Sequence, residues 1–321
     1  MKRVLRSKSM ILVYVTLAVI VFFYIMNPSY IGRDNIRGMM NSMSVSGTLG
    51  VGMAFLLMGG GVDLAAGAVG CFGAIVVAFL LNTGMPWPVA MLLGLVFGIA
   101  AGAINAFLVN GLNFMGFIAT IAMSSVFNGF ALVISNNQNI PISNQKFWAI
   151  GSYALFGVIP MPFVIAVCLI IIYGLILAKT RFGRSILMCG GNMNAVRLAG
   201  LSPKKITSIL YMNCGMLSTL AGSVLAARMH NASPTAVATG AMDAITASVL
   251  GGISFMGGGG NISGLFIGLI MLTAFNNGLV VINLQAYWQI VAQGGLLIVA
   301  LCVDYFNERA KVSALKGRAE G

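Results

Sequence analysis

Three stretches of this chain, Ile11–Met26, Val89–Val109 and Phe163–Ala178, contain no ionised side chain. A helix needs about 20 mostly apolar residues to cross roughly 30 Å of hydrocarbon. Lipid offers the backbone no hydrogen-bond partner, so such runs are predicted to be helical. The rest of the chain agrees. Of 321 residues, 59% are hydrophobic and only 7% are charged, whereas a soluble domain carries about 25% charged residues. The short alternating strands of an outer-membrane barrel are not seen. Ten spans are expected, at about 10–26, 39–58, 62–82, 88–110, 115–135, 160–178, 206–227, 242–258, 262–282 and 287–303. The expected fold is therefore an all-α membrane protein. It is a polytopic bundle of about ten transmembrane helices, with broken or short helices near the centre and one domain over 1–321.

Charge orients the bundle. The net charge of +12 does not mark a nucleic-acid binder, because the basic residues fall in loops between apolar spans, and cytoplasmic loops are enriched in Lys and Arg. With the N-terminus inside, that side holds Lys2, Arg3, Arg6 and Lys8, then Lys179, Arg181, Arg184, Arg197, Lys204 and Lys205, then Arg309, Lys311, Lys316 and Arg318. Arg33, Arg37, Lys146 and Arg228 remain outside. Ten spans return a basic tail, about 304–321, to the cytoplasm, so both termini are expected there. The first basic cluster also resembles the start of a secretory signal. Its apolar run is long, however, and Asn27-Pro28-Ser29-Tyr30 follows it in place of a small-x-small cleavage site, so it reads as a retained span. The five cysteines show neither metal nor disulfide spacing and read as packing residues.

Only six acids are present, and only Asp63 and Asp243 lie next to or within the membrane interior. An acid there is costly and marks function by default, although helix capping is an equally simple use. The segment Asp63–Val69 echoes Asp243–Val249, 180 positions later. Transporters are often built from two repeats with the pathway between them. Gly59-Gly60-Gly61 and Gly257-Gly258-Gly259-Gly260 are expected to break helices, and such breaks are tolerated at membrane depth only when buried or lining water. With Gly67, Gly251 and Gly252 they form the candidate pathway. Amides within the spans, among them Asn105, Asn128, Asn276 and Gln293, suit neutral polyhydroxylated ligands. Gly94-x-x-x-Gly98-x-x-x-Gly102 reads as a helix-packing ridge. No P-loop, G-x-S-x-G or paired-acid motif occurs, and His230 is the sole histidine. These features speak against an ATPase or an intramembrane enzyme, and the intramembrane acids and helix breaks speak against a plain scaffold.

The basic loop at about 179–205 has more order than charge balance needs. Asn192–Leu198 is predicted as a short helix with Gly200 as its C-terminal glycine. This loop resembles the cytoplasmic coupling loop of bacterial ATP-binding-cassette permeases for ribose, xylose, arabinose and galactose. The resemblance is carried by Thr180, Gly183, Arg184, Gly190, Gly191, Asn192, Ala195, Arg197 and Gly200. Two further stretches in the same order, Gly59–Gly67 and Met242–Gly252 with the run to Gly264, resemble that family's other signatures. Ala65 stands where the family has serine, and Thr120-Ile-Ala-Met123 replaces Thr-Leu-Gly-Met. The resemblance implies an inner-membrane permease subunit that imports a monosaccharide; a nucleoside or other small polar solute is the alternative. It also implies a second permease subunit, an extracytoplasmic binding protein and a separate ATPase that binds ATP and Mg and docks on 192–200. No cofactor, metal or catalytic residue is expected in this chain, and nucleic acid is not an expected partner.

Overall fold

The computed structural model describes the backbone of residues 2–319 and the side chains of residues 12–306 and Arg309. Lys2, Arg3, Arg6, Lys8, Lys311, Lys316, Arg318, Glu308 and Glu320 therefore lie outside the described side chains. Among the described residues there are thirteen α-helices. In chain order they are α1 (Lys2–Met26), α2 (Arg33–Met58), α3 (Ala66–Asn82), α4 (Trp87–Ala106), α5 (Gly116–Ser135), α6 (Gln145–Ser152) and α7 (Met161–Lys179). They continue with α8 (Arg181–Gly191), α9 (Met193–Leu198), α10 (Pro203–Met229), α11 (Gly240–Leu250), α12 (Ile262–Val281) and α13 (Ala286–Ala319). A π-helical turn, Phe107–Gly111, extends α4. Seven helices are long and apolar enough to cross a membrane, and Leu12–Met26, Ala66–Asn82 and Gly240–Leu250 are shorter apolar helices. The chain is an all-α membrane protein.

The core is built on α2 and α10. Every residue from Gly47 to Met58 is buried, as expected of a helix that is apolar all round. The glycine ridge of α4 packs on α10. A Cβ on Gly98 would stand 2.5 Å from the Gly215 carbonyl and 2.6 Å from Thr219 Oγ1, and one on Gly102 would stand 2.7 Å from Met212 Cα. Bare backbones meet there, which is how helices associate in lipid without a hydrophobic driving force. By contrast, α5 and α13 expose Phe117, Ile118, Val133, Ile290 and Ile298, side chains suited to contact with lipid tails. At the far end of α10 from the basic loop, two small ladders form a platform. Ile140–Pro141 (β1) pairs with Asn231–Ala232 (β4), and Ala154–Leu155 (β2) pairs with Ile159–Pro160 (β3). His230 stacks on Trp148 with ring centroids 4.3 Å apart.

Two span boundaries shift, and the tail, for which no local structure was expected, is helical. The 242–258 segment, glycine-rich and expected to be short or broken, is helical only as far as Leu250, where α11 stops. There Ile253 N–H donates to the Ser248 carbonyl and Gly252 N–H to the Val249 carbonyl, with Gly252 at φ +82°. This is the six-to-one, five-to-two ending that a glycine at C′ imposes. Eleven residues rise roughly 16 Å, about half the hydrocarbon thickness. The 62–82 segment becomes helical only at Ala66. The tail is not a loop: α13 runs on to Ala319, and Asp304 on it accepts a hydrogen bond from Phe255 N at 3.1 Å.

Candidate functional site

The basic loop folds into two short helices, α8 and then α9, joined by a single residue. Thr180 opens α8 by accepting from Gly183 N at 3.0 Å. Gly183, Ile186 and Cys189 form the buried face of α8, at the three-residue spacing that places side chains on one side of a helix. Asn192 then ends α8 and starts α9, its side chain accepting from Asn194 N at 2.9 Å and Ala195 N at 3.1 Å. The expected C-terminal glycine is in place: Gly200 has φ +75°, with Leu201 N–H bonded to the Val196 carbonyl and Gly200 N–H to that of Arg197. Val196 is fully buried and pins α9, while Leu198 is 91% exposed. Arg184 and Arg197 are also exposed, and Ala195 is half-buried. The helix α8 was missed by the sequence reading, because its short run of glycine and basic residues looks like a loop.

The structure joins features that lie far apart in sequence. Gly60 at the end of α2, Gly190 and Gly191 at the end of α8, and Gly257 and Gly258 after α11 meet backbone to backbone. A Cβ on Gly257 would stand 2.9 Å from Gly60 Cα and 3.1 Å from Gly190 Cα, and one on Gly258 would stand 2.6 Å from Gly191 Cα. A Cβ on Gly190 would overlap the Met58 carbonyl and Gly258 N. These two groups are hydrogen-bonded to each other at 3.0 Å. Gly59 caps α2, and a Cβ there would overlap Leu210; one on Gly61 would stand 2.8 Å from Leu56 Cδ1.

Asp63 is wholly buried, three residues beyond Gly60. Its Oδ1 accepts from Ala65 N at 2.9 Å, which opens α3, and Asn105 Nδ2 donates to Oδ1 and Oδ2 at 3.1 and 3.2 Å. Both partners are neutral. Asn105 Oδ1 is buried without a hydrogen-bond partner. Tyr211, a residue that carries no distinguishing signal in sequence, donates to the Val62 carbonyl at 3.1 Å and holds the same non-helical stretch. Asp63 therefore holds the turn just ahead of α3, whose first turn has no side-chain cap, and binds α4. Asp243 does not cap: α11 begins without a side-chain cap, and Asp243 accepts instead from Gln293 on α13. The first echoing segment packs on the turn that precedes α11, because a Cβ on Gly67 would stand 2.5 Å from the Val237 carbonyl and 2.6 Å from that of Ala238. Gly251 packs against Gly264, with a Cβ there 2.8 Å from Leu265 N. Asn128 and Asn276 are half-exposed on α5 and α12 and are not drawn into the Asp63 network.

The chain carrying this knob, glycine contact and buried acid matches a known family over most of its length. The family described as the permease component of branched-chain amino acid transport systems matches residues 35–301. The chain belongs to this permease family. Among curated proteins, this permease is 34% identical to the ribose import permease protein of Bacillus subtilis (strain 168), covering 89% of each chain. It is 32% identical to the D-allose transport system permease protein of Escherichia coli (strain K12), over 91% of this chain and 90% of the relative. With the L-arabinose transport system permease protein of the same strain it shares 31% identity, over 88% and 86%. No solved structure matches this permease.

Proposed function

We propose that this permease is the membrane-spanning subunit of an ATP-binding-cassette importer that carries a monosaccharide across a bacterial inner membrane. The relatives named for ribose, allose and arabinose favour a sugar over a nucleoside. The observation that carries the reading is the α8–Asn192–α9 knob: capped at both ends, pinned by Val196, and presenting a bare Leu198. A leucine exposed to 91% on a rigid, basic knob fits a pocket on another protein, and an ATPase that binds ATP and Mg supplies the energy that this chain has no motif to extract. On this reading the chain crosses ten times, α11 crossing together with the glycine-rich connection that follows it, and the basic charge of the N-terminal segment, the knob and the tail favours a cytoplasmic position for all three. A second permease subunit completes the pathway, and a binding protein delivers sugar on the opposite face. Gly59–Gly61, Asp63, Gly67, Asn105, Asn128, Asp243, Gly251, Gly252, Gly257 and Asn276 then belong to the pathway and its supports.

The reading is tested by uptake into cells that carry the permease with its partner ATPase and binding protein. The panel includes labelled monosaccharides, nucleosides and branched-chain amino acids. Saturable uptake of one or a few monosaccharides is expected. Uptake confined to nucleosides or amino acids would sink the sugar assignment.

A further inference from the structure

The importer reading leaves open how movement of the knob reaches the centre of the bundle. We propose that the contact of Gly60, Gly190, Gly191, Gly257 and Gly258 is a rigid joint, through which the ATPase-driven movement of the knob displaces α2 and the α11–α12 connection together. This deepens the importer reading and rests on it.

The joint has no side chains. A Cβ on Gly190, Gly257 or Gly258 would run into the backbone of another of these segments, and Gly258 N–H to the Met58 carbonyl at 3.0 Å ties two of the three segments directly. Side chains take up small shifts by changing rotamer, whereas peptide groups in contact have no such freedom, and close-packed matter transmits strain. The segments behind the contact are themselves fixed. Met58 and Ile186 are fully buried and Cys189 is 1% exposed. On the input side, α8 ends at Gly191 and α9 starts at Met193, so the joint lies within the knob and only Asn192 separates it from α9. On the output side, one arm runs from Gly60 to Asp63 and its bonds to Asn105 on α4, and Tyr211 on α10 grips the intervening Val62. The other arm runs from Gly257 back to α11, which Asp243 ties to Gln293 on α13, and Asp304 holds Phe255 within the same connection. The glycine contacts of α4 with α10 differ in kind: they lie along helix flanks. Here the ends of α2 and α8 meet the connection between α11 and α12, and Gly60, Gly257 and Gly258 have φ of +82°, +90° and +72°.

A glycine with open space around it supplies the control. A Cβ on Gly190 overlaps two backbone groups, whereas one on Gly129, on α5 and outside the joint, meets nothing within 4 Å. The complex of permease, ATPase and binding protein is reconstituted in proteoliposomes, and sugar uptake, ATP hydrolysis and ATPase co-purification are measured. Gly190→Ala is expected to keep its ATPase and to hydrolyse ATP, with uptake down at least tenfold and ATP spent per sugar up in proportion. Gly129→Ala is expected to stay within twofold of the parent on every readout. A Gly190→Ala complex that transports at the parental rate, or that loses hydrolysis and uptake in equal measure, overturns the proposal. A second experiment does not depend on Gly190→Ala folding. Gly191→Cys and Gly259→Cys both have room for a side chain, with nearest neighbours at 3.8 and 3.9 Å. In a background without the five native cysteines, a short reducible cross-linker is applied between them. A joint that moves as one body leaves uptake unchanged by the cross-link. Uptake blocked by the cross-link and restored by reductant shows that the segments separate, and overturns it. The parental complex reports separately on the importer reading, since a chain that recruits no ATPase fails before any variant is compared.

Discussion

The wholly buried Asp63 and the 91% exposed Leu198 are the two side chains whose surroundings depart furthest from what their chemistry prefers. Asp63→Ala leaves Ala65 N–H and the Asn105 amide without an acceptor. Each orphaned buried donor costs about 1–3 kcal/mol, so the variant is expected to unfold earlier in detergent and to lose most uptake. Asp63→Asn keeps an acceptor and is expected to recover much of the stability. Asp34→Ala, exposed in the first turn of α2, is expected to change stability by less than about 0.5 kcal/mol. Equal thermal midpoints for Asp63→Ala and Asp34→Ala would refute a structural role for the buried acid. Leu198 faces outward, so Leu198→Asp is expected to leave the detergent melting curve unchanged while ATPase co-purification falls at least tenfold. Unchanged co-purification would remove Leu198 from the docking surface. Sequence alone singled out Asp63 because acids are scarce in apolar chains. It did not pair Asp63 with Asn105, or Tyr211 with the Val62 carbonyl, since those partnerships exist only once α3, α4 and α10 are packed.

At the scale of elements, glycine has opposite consequences according to what faces it. Gly98→Ala places a methyl against the Gly215 carbonyl and Thr219, whereas Gly129 on α5 has nothing within 4 Å of its would-be Cβ. Overpacking of this kind costs about 1–3 kcal/mol. Gly98→Ala is therefore expected to unfold at a lower denaturant midpoint and Gly129→Ala at the parental one, as judged by titration in mixed micelles. The Gly94–Gly102 ridge was readable because its four-residue period declares a helix face. The helix over 193–198 was readable because Asn192 and Gly200 bracket it with cap chemistry. The end of α11 was not, because hydropathy is blind to the sign of φ: Gly252 and the residues around it are as apolar as a span but turn the chain. The glycine joint was also hidden, since its three segments are separated by well over a span's length in sequence, and no local pattern says that they meet.

For the whole molecule, orientation is the property that charge predicts most directly, and it is open to measurement. In a background without native cysteines, of which Cys168 and Cys302 are exposed, Gln145→Cys is expected to react with a membrane-impermeant maleimide added to intact spheroplasts. Met193→Cys, 46% exposed on the knob, is expected to react only in inverted vesicles. The reverse pattern would invert the topology and detach the knob from any cytoplasmic ATPase. The close seam between α4 and α10 carries a further consequence, for the order of events during synthesis. Gly98 emerges from the ribosome long before Gly215, its partner across the seam. At roughly 5–20 residues per second, the intervening stretch of about a hundred residues takes on the order of ten seconds to make. For that interval α4 sits in the bilayer with its bare groove turned to lipid. A helix whose backbone bonds are all internal can wait there, and the groove stays open to whichever helix reaches it first until α10 arrives.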